Sequence, residues 1–157
     1  MKRVLARVLG AVAVLIVALV AVGWLLLRAS LPDLQGDAVV AGIDDAVTIE
    51  RDADGIPVIT ASTRSDLAFG TGFVHGQDRF FQMDLIRRQA AGELSELVGA
   101  AAINVDKRYR FHRFRTRAQV VYEAATEAER HLMEAYAAGV NAGLASLDSR
   151  PFEYFVL

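Results

Sequence analysis

Apolar residues run unbroken from Val8 to Leu27, twenty positions without a charge. As a helix they would span about 30 Å, the thickness of a bilayer's hydrocarbon core. A helix apolar on every face is seldom a buried core helix. Lys2, Arg3 and Arg7 precede the run and Arg28 follows it. That asymmetry puts the amino end in the cytoplasm and the remainder outside. The exit, Leu27-Arg28-Ala29-Ser30, lacks a small-x-small cleavage pattern. An uncleaved signal anchor is therefore favoured over a cleaved signal peptide. The pattern divides the chain into a signal anchor or transmembrane helix (1–29), an acidic linker carrying Pro32 (30–46) and a soluble region (47–157).

The soluble region opens with alternation. Val47 to Arg51 reads as a half-buried strand, Asp52 to Gly55 as a turn, and Ile56 to Ala61 as the returning strand. Pro57 belongs at that strand's start or on an edge. Thr63 and Asp66 then have capping-box spacing, and a helix is expected from about Arg64 to Ala91, ended by Gly92. Its Gly70, Gly72 and Gly76 lower helix propensity, so they are expected where another backbone comes close. Glu93 to Val98 reads as a short helix closed by Gly99. A third helix is expected over about Val105 to Ala125, its core face carrying Phe111, Phe114, Ala118, Val121, Tyr122 and Ala125. Thr126 and Glu129 begin a fourth, with Leu132, Tyr136, Val140 and Leu144 in an i, i+4 row and Ser149-Arg150-Pro151 at its end. The fold class is α+β.

Charge excludes one class of partner. Residues 31–157 carry 13 basic and 19 acidic side chains, a net of −6, which is unfavourable for nucleic acid. The basic stretch Lys107, Arg108, Arg110, Arg113, Arg115 and Arg117, interleaved with Tyr109, Phe111 and Phe114, reads as a solvated or ion-paired helix surface, part of it covering another section of the same protein. The absence of cysteine rules out thiolate metal sites and a cysteine nucleophile.

No catalytic constellation is visible. The serines are Ser30, Ser62, Ser65, Ser95, Ser146 and Ser149; none lies in G-x-S-x-G or has a lysine three residues on. His75, His112 and His131 lack zinc-site spacing. Gly70 to Gly76 is one residue too long for a dinucleotide fingerprint and follows no strand directly. Glu93 and Glu96 could be paired carboxylates, but with no third group nearby they read as surface or structural.

The order of segments carries more. Arg51-Asp52-x-x-Gly55-x-Pro57-x-Ile59 precedes Asp66 to Gly76, then Gln77-Asp78-Arg79-Phe80-Phe81-Gln82-Met83-Asp84. Arg87-Arg88-x-Ala90-x-Gly92-x-Leu94-x-Glu96-Leu97-Val98-Gly99 follows, then Asp106 with Arg110, and Gly139-Val140-Asn141-Ala142. This resembles the start of the penicillin acylase (penicillin amidase) family of N-terminal-nucleophile hydrolases, over about Val47 to Leu157. Val58 and Gly76 depart from the family's usual His and Ala.

The resemblance implies a precursor that cuts itself into an α and a β subunit. The serine at the new amino end of β would be the nucleophile and its own α-amine the base. This chain would be the front of the α region, ending in an apolar segment without a terminator, its hairpin joining the central sheet of an αββα sandwich. The resemblance assigns it no catalytic, substrate-binding or metal residue. No cofactor is expected for the chemistry; a structural calcium is possible, with ligands outside this stretch. The partners implied are the β subunit, a small N-acyl substrate such as a penicillin or acyl-homoserine lactone, and the inner membrane through residues 8–27. The soluble part would be periplasmic. Asp78 and Arg79 are each expected to be paired, since a lone buried charge is costly. The alternative reading is a membrane-anchored binding or scaffold protein without enzymatic activity.

Overall fold

The computed structural model describes residues 2–157. Helix α1 (Lys2–Ala29) contains a stretch, Arg3–Ala29, long and apolar enough to cross a membrane, and none of its most apolar window is covered by protein. Such a helix is either a signal sequence or an anchor. The Ser30 hydroxyl donates to the Leu27 carbonyl at 2.7 Å, closing its last turn.

Strands β1 (Thr48–Arg51) and β2 (Pro57–Thr60) form the expected antiparallel hairpin, with Thr48 opposite Thr60 and Arg51 opposite Pro57. Pro57 opens its strand, where its missing N–H is harmless. The Asp52 carboxylate accepts from the backbone N–H of Asp54 and of Ile56, at 2.9 and 2.8 Å. A hairpin alone is marginal in water. This one leans on α2 (Arg64–Ala91): Val47 and Ile59 stand where a Cβ on Gly70 would come within 2.8 and 2.9 Å of them. Side chains, not backbone, thus explain Gly70.

The bulk of the fold is α2 laid against α6 (Glu127–Ala145). Four glycines interlock there. A Cβ on Gly72 or Gly76 would strike the carbonyl oxygen of Tyr136 or Val140, and one on Gly139 or Gly143 would strike that of Phe69 or Phe73. The two backbones approach closely only because these side chains are absent. Phe69, Val74, Ala135 and Val140 are buried around the crossing. Helix α6 begins with the expected capping box: Thr126 and Glu129 each satisfy the other's backbone N–H. It ends at Ala145 with Ser146 as cap, before Ser149-Arg150-Pro151.

Two expectations fail between the long helices. After Gly92 ends α2 with φ 69°, α3 (Ser95–Val98) and a 3₁₀ turn (Gly99–Ala102) lead into α4 (Ile103–His112). The single helix expected over Val105 to Ala125 is broken at Arg113, which has φ 53° and separates α4 from α5 (Phe114–Ala124). The expected core face is also largely uncovered. Phe111 is 84% exposed, Val121 65% and Phe114 40%. A final 3₁₀ turn spans Phe152–Phe155.

Candidate functional site

The polar motifs along α2 converge on connections between segments. Asp78 receives both its bonds from one Arg51 Nη at 2.9 Å, and another Nη of Arg51 reaches the Gly55 carbonyl. The motif's carboxylate therefore orients the hairpin against the helix. Arg79 breaks the second half of that expectation. Helical geometry is interrupted at Arg79 itself (φ −140°, ψ 17°), it is exposed, and among the described residues it has no ion pair. Exposure to water removes the need for a partner.

Three buried aspartates act as ties. Asp66 is 1% exposed and accepts from the backbone N–H of Asp44 (2.8 Å) and Asp45 (3.3 Å) and from the Thr63 hydroxyl (2.8 Å). Thr63 caps α2 in return, accepting from the Asp66 N–H at 3.0 Å. The capping box is thus half made, because the Asp66 carboxylate is spent on the preceding segment. The Asp44 N–H is the main cause holding its pKa down; burial opposes it, and Thr63 and Asp45 add to the lowering.

Asp84 sits between Arg87 (2.7 Å), Arg88 (2.8 Å) and the Tyr154 hydroxyl (2.8 Å). Burial alone would raise its pKa, but the bonds from Arg88, Arg87 and Tyr154 outweigh it and lower it. Arg88 continues to Glu96 at 3.0 Å. Tyr154 packs edge-to-face on Phe81, and burial followed by the Asp84 carboxylate pushes its phenol pKa upward.

Asp106 caps α3 from a distance, accepting from the N–H of Leu94 and of Ser95, both at 2.8 Å. Burial opposes its ionisation, but the bonds from Ser95 and Leu94, helped by Arg110, bring its pKa below the ordinary range. Arg110 donates to the Gly92 carbonyl at 2.8 Å, and Arg115 holds Glu93 through both carboxylate oxygens. Glu93 and Glu96 are consequently two separate ion-pair partners.

The serine hydroxyls and the imidazoles lie apart from these ties. Among the described residues no serine hydroxyl is hydrogen-bonded to a histidine. Ser146 bonds Gly143 and Gln77, while His75 bonds the Tyr136 hydroxyl at 2.9 Å across the α2–α6 interface. No group of three or more histidine, aspartate or glutamate side chains among the described residues could hold a metal ion, and both oxygens of each buried aspartate already accept from protein donors. These residues do not fit a calcium site. A groove of about 510 Å³ lies between residues 33–47, the hairpin and α2, with Ile43, Val47, Arg51, Phe73 and Gln77 among its walls. It has no nucleophile and base set side by side. The arrangement is a scaffold of charged ties, whose long links, Arg51–Asp78, Asp44–Asp66, Asp84–Tyr154 and Leu94–Asp106, sequence spacing did not expose because they join residues far apart in the chain.

Comparisons with known proteins agree on one relationship. The family profile described as Penicillin amidase matches residues 46–157. The chain is 41% identical over 131 residues to the penicillin acylase 2 proenzyme of Pseudomonas sp. (strain SE83), covering 83% of this chain and 17% of that protein. It is 38% identical over 115 residues to the acyl-homoserine lactone acylase QuiP of Pseudomonas aeruginosa, covering 73% and 14%. Among solved structures, a thermostable penicillin G acylase from Alcaligenes faecalis superposes with a TM-score of 0.64 at 31% identity, over 71% of this chain and 61% of that one. The chain thus spans about a sixth of the curated relatives' length.

Proposed function

The chain belongs to the penicillin amidase family of hydrolases, and from that premise we propose that it is the front of the α region of an exported amidase that hydrolyses a linear N-acyl bond. The observation that carries the proposal is a difference in coverage. The matched part of this chain fills 61% of a solved acylase chain but 17% of a relative named as a proenzyme. A proenzyme cut into a short front chain and a long rear chain has those proportions.

In this reading the nucleophile is a serine freed at the amino end of the rear chain. Its hydroxyl attacks the acyl carbonyl while its own α-amine takes the proton. Donors from the rear chain stabilise the oxyanion. The amine leaves with that proton, and water then hydrolyses the acyl ester. The present residues supply no atom to this sequence. They build the wall around it: the hairpin extends the rear chain's sheet through its free edge, giving an αββα sandwich, and the α2–α6 pair covers one face. Helix α1 stays as an inner-membrane anchor with the remainder periplasmic, supported by its apolar length and its amino-terminal charges. The substrate class is that of the relatives' names, a penicillin or an acyl-homoserine lactone.

Expressing the complete reading frame tests this. Two chains should appear by mass spectrometry, and the purified pair should release free amine from N-acyl substrates. Residues 47–157 produced alone should hydrolyse nothing and dissolve poorly. Amide turnover by that piece would overturn the assignment of the nucleophile to the rear chain.

A further inference from the structure

The segment between α1 and the hairpin is fixed at both ends and free in the middle. Upstream, the Leu31 N–H still bonds the Arg28 carbonyl, and Ser30 is buried. Downstream, Gly42 lies against the Phe69 ring, where an added Cβ would stand 3.5 Å away, and Asp66 grips the backbone at Asp44 and Asp45. Between these points the backbone from Gly36 to Ile43 forms no hydrogen bond with other described residues. Residues 33–39 are all exposed, Val39 entirely so, and Asp37 to Val40 run without turn or bend. Unpaired donors and acceptors on an extended chain are what a peptidase cleft needs, because it binds its substrate as an added strand.

The side chains narrow the kind of peptidase. From Ala29 to Glu50 there is no lysine, arginine or aromatic residue, so an enzyme that reads a basic or aromatic side chain finds none. Leu31 is followed by Pro32, whose ring and missing N–H obstruct a cleft. After Leu34, the Gln35 N–H is turned onto the Asp33 carboxylate at 3.1 Å. What remains is Ala38-Val39-Val40-Ala41, four small aliphatic residues beside and within the unbent stretch. They suit an endopeptidase whose primary specificity pocket is small and apolar, as in elastase.

We propose that Ala38–Ala41 is a release site, at which an endopeptidase with a small apolar specificity pocket cuts the folded body away from α1. The inference rests on the proposed function, since it needs α1 to stay as an anchor. Water adds across one peptide bond of the stretch. The residue before that bond ends in a carboxylate and the residue after it begins with an ammonium, and nothing is oxidised or reduced. The product keeps its fold, because the contacts that hold this end of the body begin at Gly42 and continue at Asp44 and Asp45. Cutting therefore changes where the protein resides and leaves its chemistry alone.

Membranes carrying the full-length protein, treated with pancreatic elastase as the probe, test the site. The first cut should give a new amino end between residues 39 and 42 by mass spectrometry, and the body should leave the membrane uncut from Asp44 onward. The triple substitution Ala38→Asp, Val40→Pro, Ala41→Asp puts carboxylates where the pocket needs alkyl groups and a proline where the cleft needs an N–H. It should slow release by about tenfold or more. A first cut within 44–157, or release of the triple variant at the unaltered rate, would overturn the site. In the producing organism, the soluble fraction should hold the body with an amino end between 39 and 42, and the triple variant should stay on the membrane. Unaltered protein found only on the membrane with α1 attached would overturn release. A soluble form beginning before Leu31 would overturn it differently, by removing the anchor on which it rests. Amide hydrolysis is read separately: a released body that hydrolyses no N-acyl substrate loses the acylase reading and keeps the release site.

Discussion

Helices α2 and α6 touch through their backbones, whereas α4 and α5 offer rings and guanidinium groups to the solvent. The first pair spends its glycines on closeness, and the result is a rigid crossing that tolerates no added atom. The second pair keeps its apolar side chains outside. Both regions carry helical periodicity, so periodicity alone does not say whether a face is already covered or awaits cover. The small residues opposite one another do say it: a Gly72–Gly76 row facing a Gly139–Gly143 row has a partner in hand.

The contrast can be broken from the interior outward. Gly139→Val forces a branched side chain onto the Phe69 carbonyl, and overpacking of that kind costs about 1–3 kcal/mol or more. The full-length protein should accumulate poorly and be cut rapidly by a protease; normal yield and resistance would show that the helices separate easily. Asp84→Ala strips Arg87, Arg88 and Tyr154 of their common acceptor. A loss of about 2 kcal/mol is expected, the value of a hydrogen bond to a charged group, read as faster hydrogen exchange at the carboxyl end of α2. Thr126→Ala removes the α6 capping box, at about 1 kcal/mol, measured as exchange of its first turn.

Acidity acts on the same ties. Asp66, Asp84 and Asp106 all have pKa values below the ordinary aspartate range in the fold. Their stabilising contribution is complete above the unfolded aspartate value of about 4. It declines as pH falls through the lower, folded values, because the unfolded chain then binds more protons. Thermal stability should be flat across neutral pH and drop below about pH 4. Asp84→Asn should lessen that drop while lowering the neutral plateau. The smallest effect is on the outside: Phe111→Ser should leave exchange in α2 and α6 unchanged.

Much of the framework was legible because its signals are local. The hairpin follows from alternation and Asp52-x-x-Gly55, the end of α2 from Gly92, and the start of α6 from Thr126 with Glu129. The break at Arg113 was not legible, since arginine is a good helix former. Its cause is tertiary. Asp106 and Arg110 hold α4 against residues 92–95 while Arg115 holds α5 to Glu93, contacts that no local signal announces. The exposure of Phe111 was equally hidden: an apolar stripe shows the direction in which a helix wants company, not whose. Of the candidate site, sequence supplied the motif around Asp78 but not its Arg51 partner, 27 residues earlier. Arg79 was expected to need a partner and does not, because the interruption at that residue leaves it in water.

Asp66 clamps the backbone at Asp44 and Asp45, so the leash between α1 and the folded body is shorter than the 30–46 spacing suggests. Gly42 already lies beside Phe69, so the length before these contacts runs from Leu31 to Ala41, which at full stretch reaches about 40 Å. Retained as the proposed anchor, α1 would keep the body in a thin shell above the lipid headgroups, where amphiphilic molecules gather.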